Sequence, residues 1–139
     1  MKNISSINAD IFTNIDGINE STICEYFIRL NNGEFLAATE LFAEQGCLKP
    51  PFEKIVQGRN AIAQYLEKEA QGIKLCPEYG EILTSDSLLT QYQILGKVQT
   101  NYFTVNVSWL IQLNIAKEIM AVEVKLLASL TDLLNLNKS

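Results

Sequence analysis

The chain of 139 residues has the size of one domain, and an apolar content of 47% supplies a core with lining left over for a cavity. A net charge of -5 with eleven scattered basic residues excludes a nucleic-acid surface. The complete absence of histidine removes Ser-His and Cys-His nucleophile pairs, His general bases and the usual zinc ligands.

Lys2 is followed by a polar Asn- and Ser-rich stretch with no signal-type apolar region, and no apolar run approaches the ~20 residues of a membrane span, so a cytosolic protein is expected. Residues 1–18 show no clear period and end in the turn formers Asp16-Gly17. This predicts an extension, mobile or docked elsewhere, with the compact domain beginning near Asn19. Ile23, Tyr26, Phe27 and Leu30 recur at helical spacing after the weak cap Ser21, up to the stop signal Asn31-Asn32-Gly33. A second helix is expected from about Glu34 to Ala43 on the stripe Phe35, Ala38, Leu41 and Phe42, with Gly46 closing its turn.

Pro50-Pro51 fits neither a helix interior nor a central strand, so Leu48 to Phe52 reads as an irregular or edge segment. A third helix spans Arg59 to Gln71 on Ile62, Tyr65, Leu66 and Ala70, with Gly72 as terminator. The period then changes to two through four strands near 73–84, 88–100, 102–114 and 117–128. In the third, Val105, Val107, Trp109, Ile111 and Leu113 share one face, which is apolar and aromatic. Short links make the four an antiparallel meander, and helices grouped before a curved sheet imply an α+β cone with the helices on its concave side. Leu130, Leu133, Leu134 and Leu136 predict a short amphipathic C-terminal helix over 130–136.

Cys24, Cys47 and Cys76 have neither CxxC nor metal-type spacing, and their odd number leaves at least one thiol free or open to another subunit. Buried, inert thiols fit a reducing compartment. Tyr26 on a helical apolar stripe and Trp109 on an alternating strand read, from the residues alone, as ordinary core aromatics. No metal set and no catalytic set is assigned.

The order of helix, helix, irregular segment, helix and four-stranded meander is that of the nuclear transport factor 2-like fold. The segments LFAEQGCLKPPF (Leu41 to Phe52), IKLCPEYG (Ile73 to Gly80), GKVQTNYF (Gly96 to Phe103), NVSW (Asn106 to Trp109) and KLLASLTDLLNL (Lys125 to Leu136) are more specific. From about Ile18 onward the chain resembles the C-terminal domain of the cyanobacterial orange carotenoid proteins. Those proteins carry an all-helical N-terminal domain and a linker before it, so the expected kinship is with free-standing C-terminal domain homologues.

The resemblance implies an apolar tunnel holding a ketocarotenoid, canthaxanthin or echinenone, in a homodimer that shares one pigment. It also implies transfer to or from helical N-terminal-domain-type proteins, singlet-oxygen quenching in photoprotection, and a transient membrane contact during pigment uptake. By position it makes Tyr26 and Trp109 the donors to the keto oxygen. Leu30, Leu75 and Phe103 fall at tunnel-lining positions, and Val107 and Ile111 join them by sharing the Trp109 face. Tyr102 stands where the full-length proteins have Trp, and the loop before Trp109 is a few residues shorter than theirs.

Two other classes compete. A cone of this kind also serves isomerases and dehydratases, in which a cavity Asp or Glu acts as base beside a Tyr donor, yet no carboxylate joins the inward-facing set here. The other alternative is a dimerisation module that keeps its interface and holds no ligand.

Overall fold

The computed structural model describes residues 15–128. Helix α1 (Ser21–Asn31) buries Ile23, Tyr26, Phe27 and Leu30, the residues of its sequence stripe. Each such burial contributes about 1.5–3 kcal/mol. Its first turn has no side-chain cap, because Glu20 at the cap position reaches Lys117 instead, at 2.8 Å. It ends where Gly33 takes a left-handed φ of 74°. Helix α2 is only one turn, Phe35–Thr39. Helix α3 (Arg59–Glu69) follows Gly58, whose φ is 89°.

One six-stranded sheet carries the fold: β1 (Phe42–Lys49), β2 (Val56–Gln57), β3 (Lys74–Ser85), β4 (Leu89–Gln99), β5 (Thr104–Asn114) and β6 (Ile119–Leu127), in the order β2-β1-β6-β5-β4-β3. Strands β3 to β6 form the expected antiparallel meander. Register shifts after Pro77, after Ile82 and between Gln112 and Leu113 bend it, as bulges do. Pro77 sits on β3, an edge strand, where its missing N–H is tolerated. The arrangement is the α+β cone of the nuclear transport factor 2-like fold, with its helices packed over a curved sheet.

Three expectations change. The second helix does not reach Ala43. From Phe42 the chain becomes β1, which pairs parallel with β6 and antiparallel with β2. Gly46 therefore closes no helix; it lies inside the strand, where an added Cβ would stand 2.8 Å from the Ile119 carbonyl oxygen. Long-range strand pairing overrides the local helical stripe here.

The packed chain begins before Asn19. Ile15 and Ile18 are core residues, and Asp16 bridges to Tyr79 on β3, with the Gly80 N–H donating to its carbonyl at 2.8 Å. Finally, the sheet has six strands, because β1 and β2 extend the meander at its other side. The helix expected over 130–136 and the remainder of the extension, 1–14, lie outside the described residues.

Candidate functional site

Between the helices and the inner face of the sheet lies a cavity of about 280 Å³. Helix α1 supplies Tyr26 and Leu30, and α3 with its end supplies Tyr65, Leu66, Glu69 and Ala70. The sheet supplies Leu48, Leu75, Val98, Val105, Val107, Trp109, Val124 and Leu126, while Pro50, Pro51, Ile73, Thr100 and Phe103 complete the wall. Apart from Glu69, Thr100 and the polar tips of Tyr26, Tyr65 and Trp109, the lining is apolar. Its one carboxylate, Glu69, is exposed at the C-terminal end of α3.

Tyr26 and Trp109 are both 2% exposed and both line the cavity. They are held by a chain of edge-on aromatic contacts: Phe42 to Tyr26 at 5.8 Å, Tyr26 to Phe27 at 5.6 Å, and Phe27 to Trp109 at 4.8 Å between centroids. Such contacts add about 0.5–1.5 kcal/mol each beyond the area they bury. No hydrogen bond joins Tyr26 Oη or Trp109 Nε1 to another described residue. Among the described residues no fully enclosed side-chain nitrogen or oxygen lacks a partner. Neither donor is therefore fully enclosed, and both side chains line the cavity.

Burial raises the Tyr26 phenol well above its ordinary value, with no opposing interaction. Tyr26 is thus a neutral O–H donor across the physiological range, and the indole N–H of Trp109 can only donate. Two unpaired donors in apolar surroundings cost on the order of 1–3 kcal/mol each, a cost that one acceptor oxygen on an otherwise apolar ligand would relieve.

Of the other residues singled out in the sequence, Leu30, Leu75, Phe103 and Val107 are brought together in the lining. Ile111 is not: it is fully buried on the same strand face, but in the solid core, away from the cavity. Alternation along β5 places a residue on a face without placing it along the strand's length.

Sequence reasoning missed several walls. Tyr65, Leu66 and Ala70 belong to the apolar stripe that the sequence shows for the third helix, whereas Pro50 and Pro51 carry only an edge-strand signal. Tyr65 donates to Glu53 at 3.3 Å, and burial together with Glu53 pushes its phenol up to about 12. The thiols of Cys24, Cys47 and Cys76 are free, half-buried and outside the cavity wall. Burial and the nearby Glu20 raise that of Cys24, which disfavours the reactive thiolate.

No protein-family model matches the chain. It is 37% identical over 126 residues to the orange carotenoid-binding protein of Limnospira maxima, covering 88% of this chain and 40% of that protein. The structure of the orange carotenoid protein of Anabaena (Nostoc) sp. PCC 7120, solved binding canthaxanthin, superposes with a TM-score of 0.82 at 39% identity. That match covers 88% of this chain and 40% of the other. A nuclear transport factor 2-like protein from Cytophaga hutchinsonii shares the fold alone, with a TM-score of 0.63 at 18% identity over 86% of this chain and 96% of its own. The chain thus spans about two fifths of the length of the carotenoid proteins it matches.

Proposed function

The chain is a homologue of the C-terminal domain of orange carotenoid protein, and from that premise we propose that it binds a ketocarotenoid, canthaxanthin or echinenone, and carries it to or from helical partner proteins. The observation that supports this reading most directly is the pair Tyr26 and Trp109, which line one apolar cavity and whose Oη and Nε1 have no hydrogen-bond partner among the described residues. A terminal ring ketone offers one oxygen with two lone pairs and an apolar body, so it matches both the donors and the walls. Two donors on that oxygen draw electron density along the polyene and lower its excitation energy. The bound pigment should absorb to the red of the free one.

At about 280 Å³ the cavity lies just below the usual range of ligand pockets, about 300–1,000 Å³. It suits one end of a long molecule, not its whole length. The remainder then needs cover. Phe103 at the mouth is 59% exposed, and Phe52 and Tyr102, next to the lining residues Pro51 and Phe103, are 92% and 90% exposed. Exposed apolar groups around an open ligand favour a second copy closing over the far end, giving a homodimer that shares one pigment. In this role the protein performs no chemistry on the ligand; singlet-oxygen quenching is a property of the pigment it holds.

The decisive experiment is production in cells that make canthaxanthin or echinenone, followed by size-exclusion chromatography read in the visible. A coloured, dimer-sized peak with a red-shifted band is the expected result. Colourless protein from pigment-rich cells would overturn the reading.

A further inference from the structure

Helix α1 is tied to the sheet at both ends by directional bonds, and one of these ties adjoins the cavity. At its start Thr22 Oγ1 donates to the Lys117 carbonyl at 2.9 Å. At its end Asn31 makes a two-point bond to a single residue of β3: Nδ2 donates to the Leu75 carbonyl at 2.8 Å, and Oδ1 accepts from the Leu75 N–H at 2.7 Å. β3 is an edge strand, so its outward backbone groups have no neighbouring strand to satisfy them. An amide side chain presents a donor and an acceptor in one plane, and so replaces one residue of the missing strand. Farther along the same edge, Asp16 does the same with its own backbone, at Glu78 and Gly80.

Leu75 is the residue of this edge that lines the cavity, and Leu30, next to Asn31, lines it from α1. We propose that Asn31 is a positioning residue for ligand recognition: its amide sets the separation and register between the α1 wall that carries Tyr26 and the β3 wall that carries Leu75. This rests on the reading of the cavity as a ketocarotenoid site. A helix moves as a rigid rod, and Tyr26 lies about 7.5 Å along the axis from Asn31 at the standard rise. Slippage at the clamp is therefore passed on to the phenol. Apolar packing is non-directional and allows such slippage, whereas paired hydrogen bonds at 2.7–2.8 Å weaken steeply when their geometry changes.

Trp109 is the only tryptophan of the chain, and its ring packs on Phe27 of α1, so its emission reads the β5 wall of the cavity without labelling. The test compares the full chain with Asn31→Leu, which removes both bonds, and Asn31→Asp, which keeps the acceptor and loses the donor. Emission and acrylamide quenching of Trp109 are measured in pigment-free protein, and band position and uptake in cells that make canthaxanthin. Asn31→Leu should shift the emission and increase quenching, move the visible band to shorter wavelength and reduce uptake about tenfold, with Asn31→Asp between it and the parent.

Folded Asn31→Leu protein with parental emission, quenching and band would overturn the proposal. So would altered emission with unchanged band and uptake. If Asn31→Leu does not fold, Asn31→Asp decides on the same criteria. If the parent chain takes up no pigment, the carotenoid reading fails, and the pigment-free emission still decides whether Asn31 sets the cavity.

Discussion

Phe27 meets the indole of Trp109 edge to face, with centroids 4.8 Å apart and planes at 79°, and it also touches Tyr26 at 5.6 Å. One ring thus braces both donors. Trp109→Phe keeps an aromatic ring against Phe27 and removes only the N–H and part of the volume. We expect a folded protein whose melting temperature falls by a few degrees, consistent with about 1–2 kcal/mol. Its pigment band should move toward that of free carotenoid, and absorption spectra of the loaded variant check this; an unchanged band would remove Trp109 from the recognition pair.

Tyr26 makes a second prediction through pH. Its folded-state phenol is raised above the ordinary value of 10.0 by burial. Below pH 10 both folded and unfolded chains hold the proton, and Tyr26 contributes no pH dependence. Above it the unfolded chain releases the proton first, so the unfolded state binds fewer protons and stability falls as pH rises. Tyr26→Phe should flatten this alkaline loss and, by removing an unpaired donor, hold or raise the stability of the pigment-free protein near neutrality by up to about 1–3 kcal/mol. Melting temperatures from pH 7 to 11 measure it, and equal alkaline slopes in the two proteins would contradict the assignment.

Ala70 is 7% exposed and lines the cavity at the end of α3. Ala70→Phe places a ring where the ligand should lie. Filling existing space is tolerated far better than overpacking a solid core, so thermal stability should be held or raised by up to about 1–2 kcal/mol. Pigment uptake should be lost. Parental colour yield from the variant would show that the pigment sits elsewhere.

Gly17 has a left-handed φ of 89°, and an added Cβ would run into the Gly80 carbonyl. Gly17→Ala should therefore detach Ile15 and Ile18 from the core and cost about 2–3 kcal/mol or more, through backbone strain plus lost burial. Chemical denaturation gives the number. A loss under about 0.5 kcal/mol would return 15–18 to the status of a dispensable extension.

The sequence by itself determined what depends on a residue's own neighbours along the chain. The stripe Ile23, Tyr26, Phe27 and Leu30 specified α1 and its buried face, and alternation in β5 turned Val107 and Trp109 inward. Gly33 and Gly72 marked helix ends because each adopts a left-handed φ that other residues avoid. Periodicity marked Tyr26 and Trp109 only as buried aromatics; their pairing as donors came from the resemblance to the orange carotenoid protein domain.

The tertiary structure alone decided what depends on residues distant in sequence. Phe42 and Leu48 read as part of a helix and an irregular segment, yet they belong to a strand because β6 offers a parallel partner that no local pattern announces. Ile111 shares the face of Trp109 but not its cavity, since periodicity fixes direction and only packing fixes depth. The convergence of Pro50, Tyr65, Val98 and Val124 on one space, and the bonds by which Asn31 holds Leu75, arise when separate elements meet on the curved sheet. Hydrophobic burial is non-directional and can bring these elements together in many ways; strand pairing and paired hydrogen bonds select one.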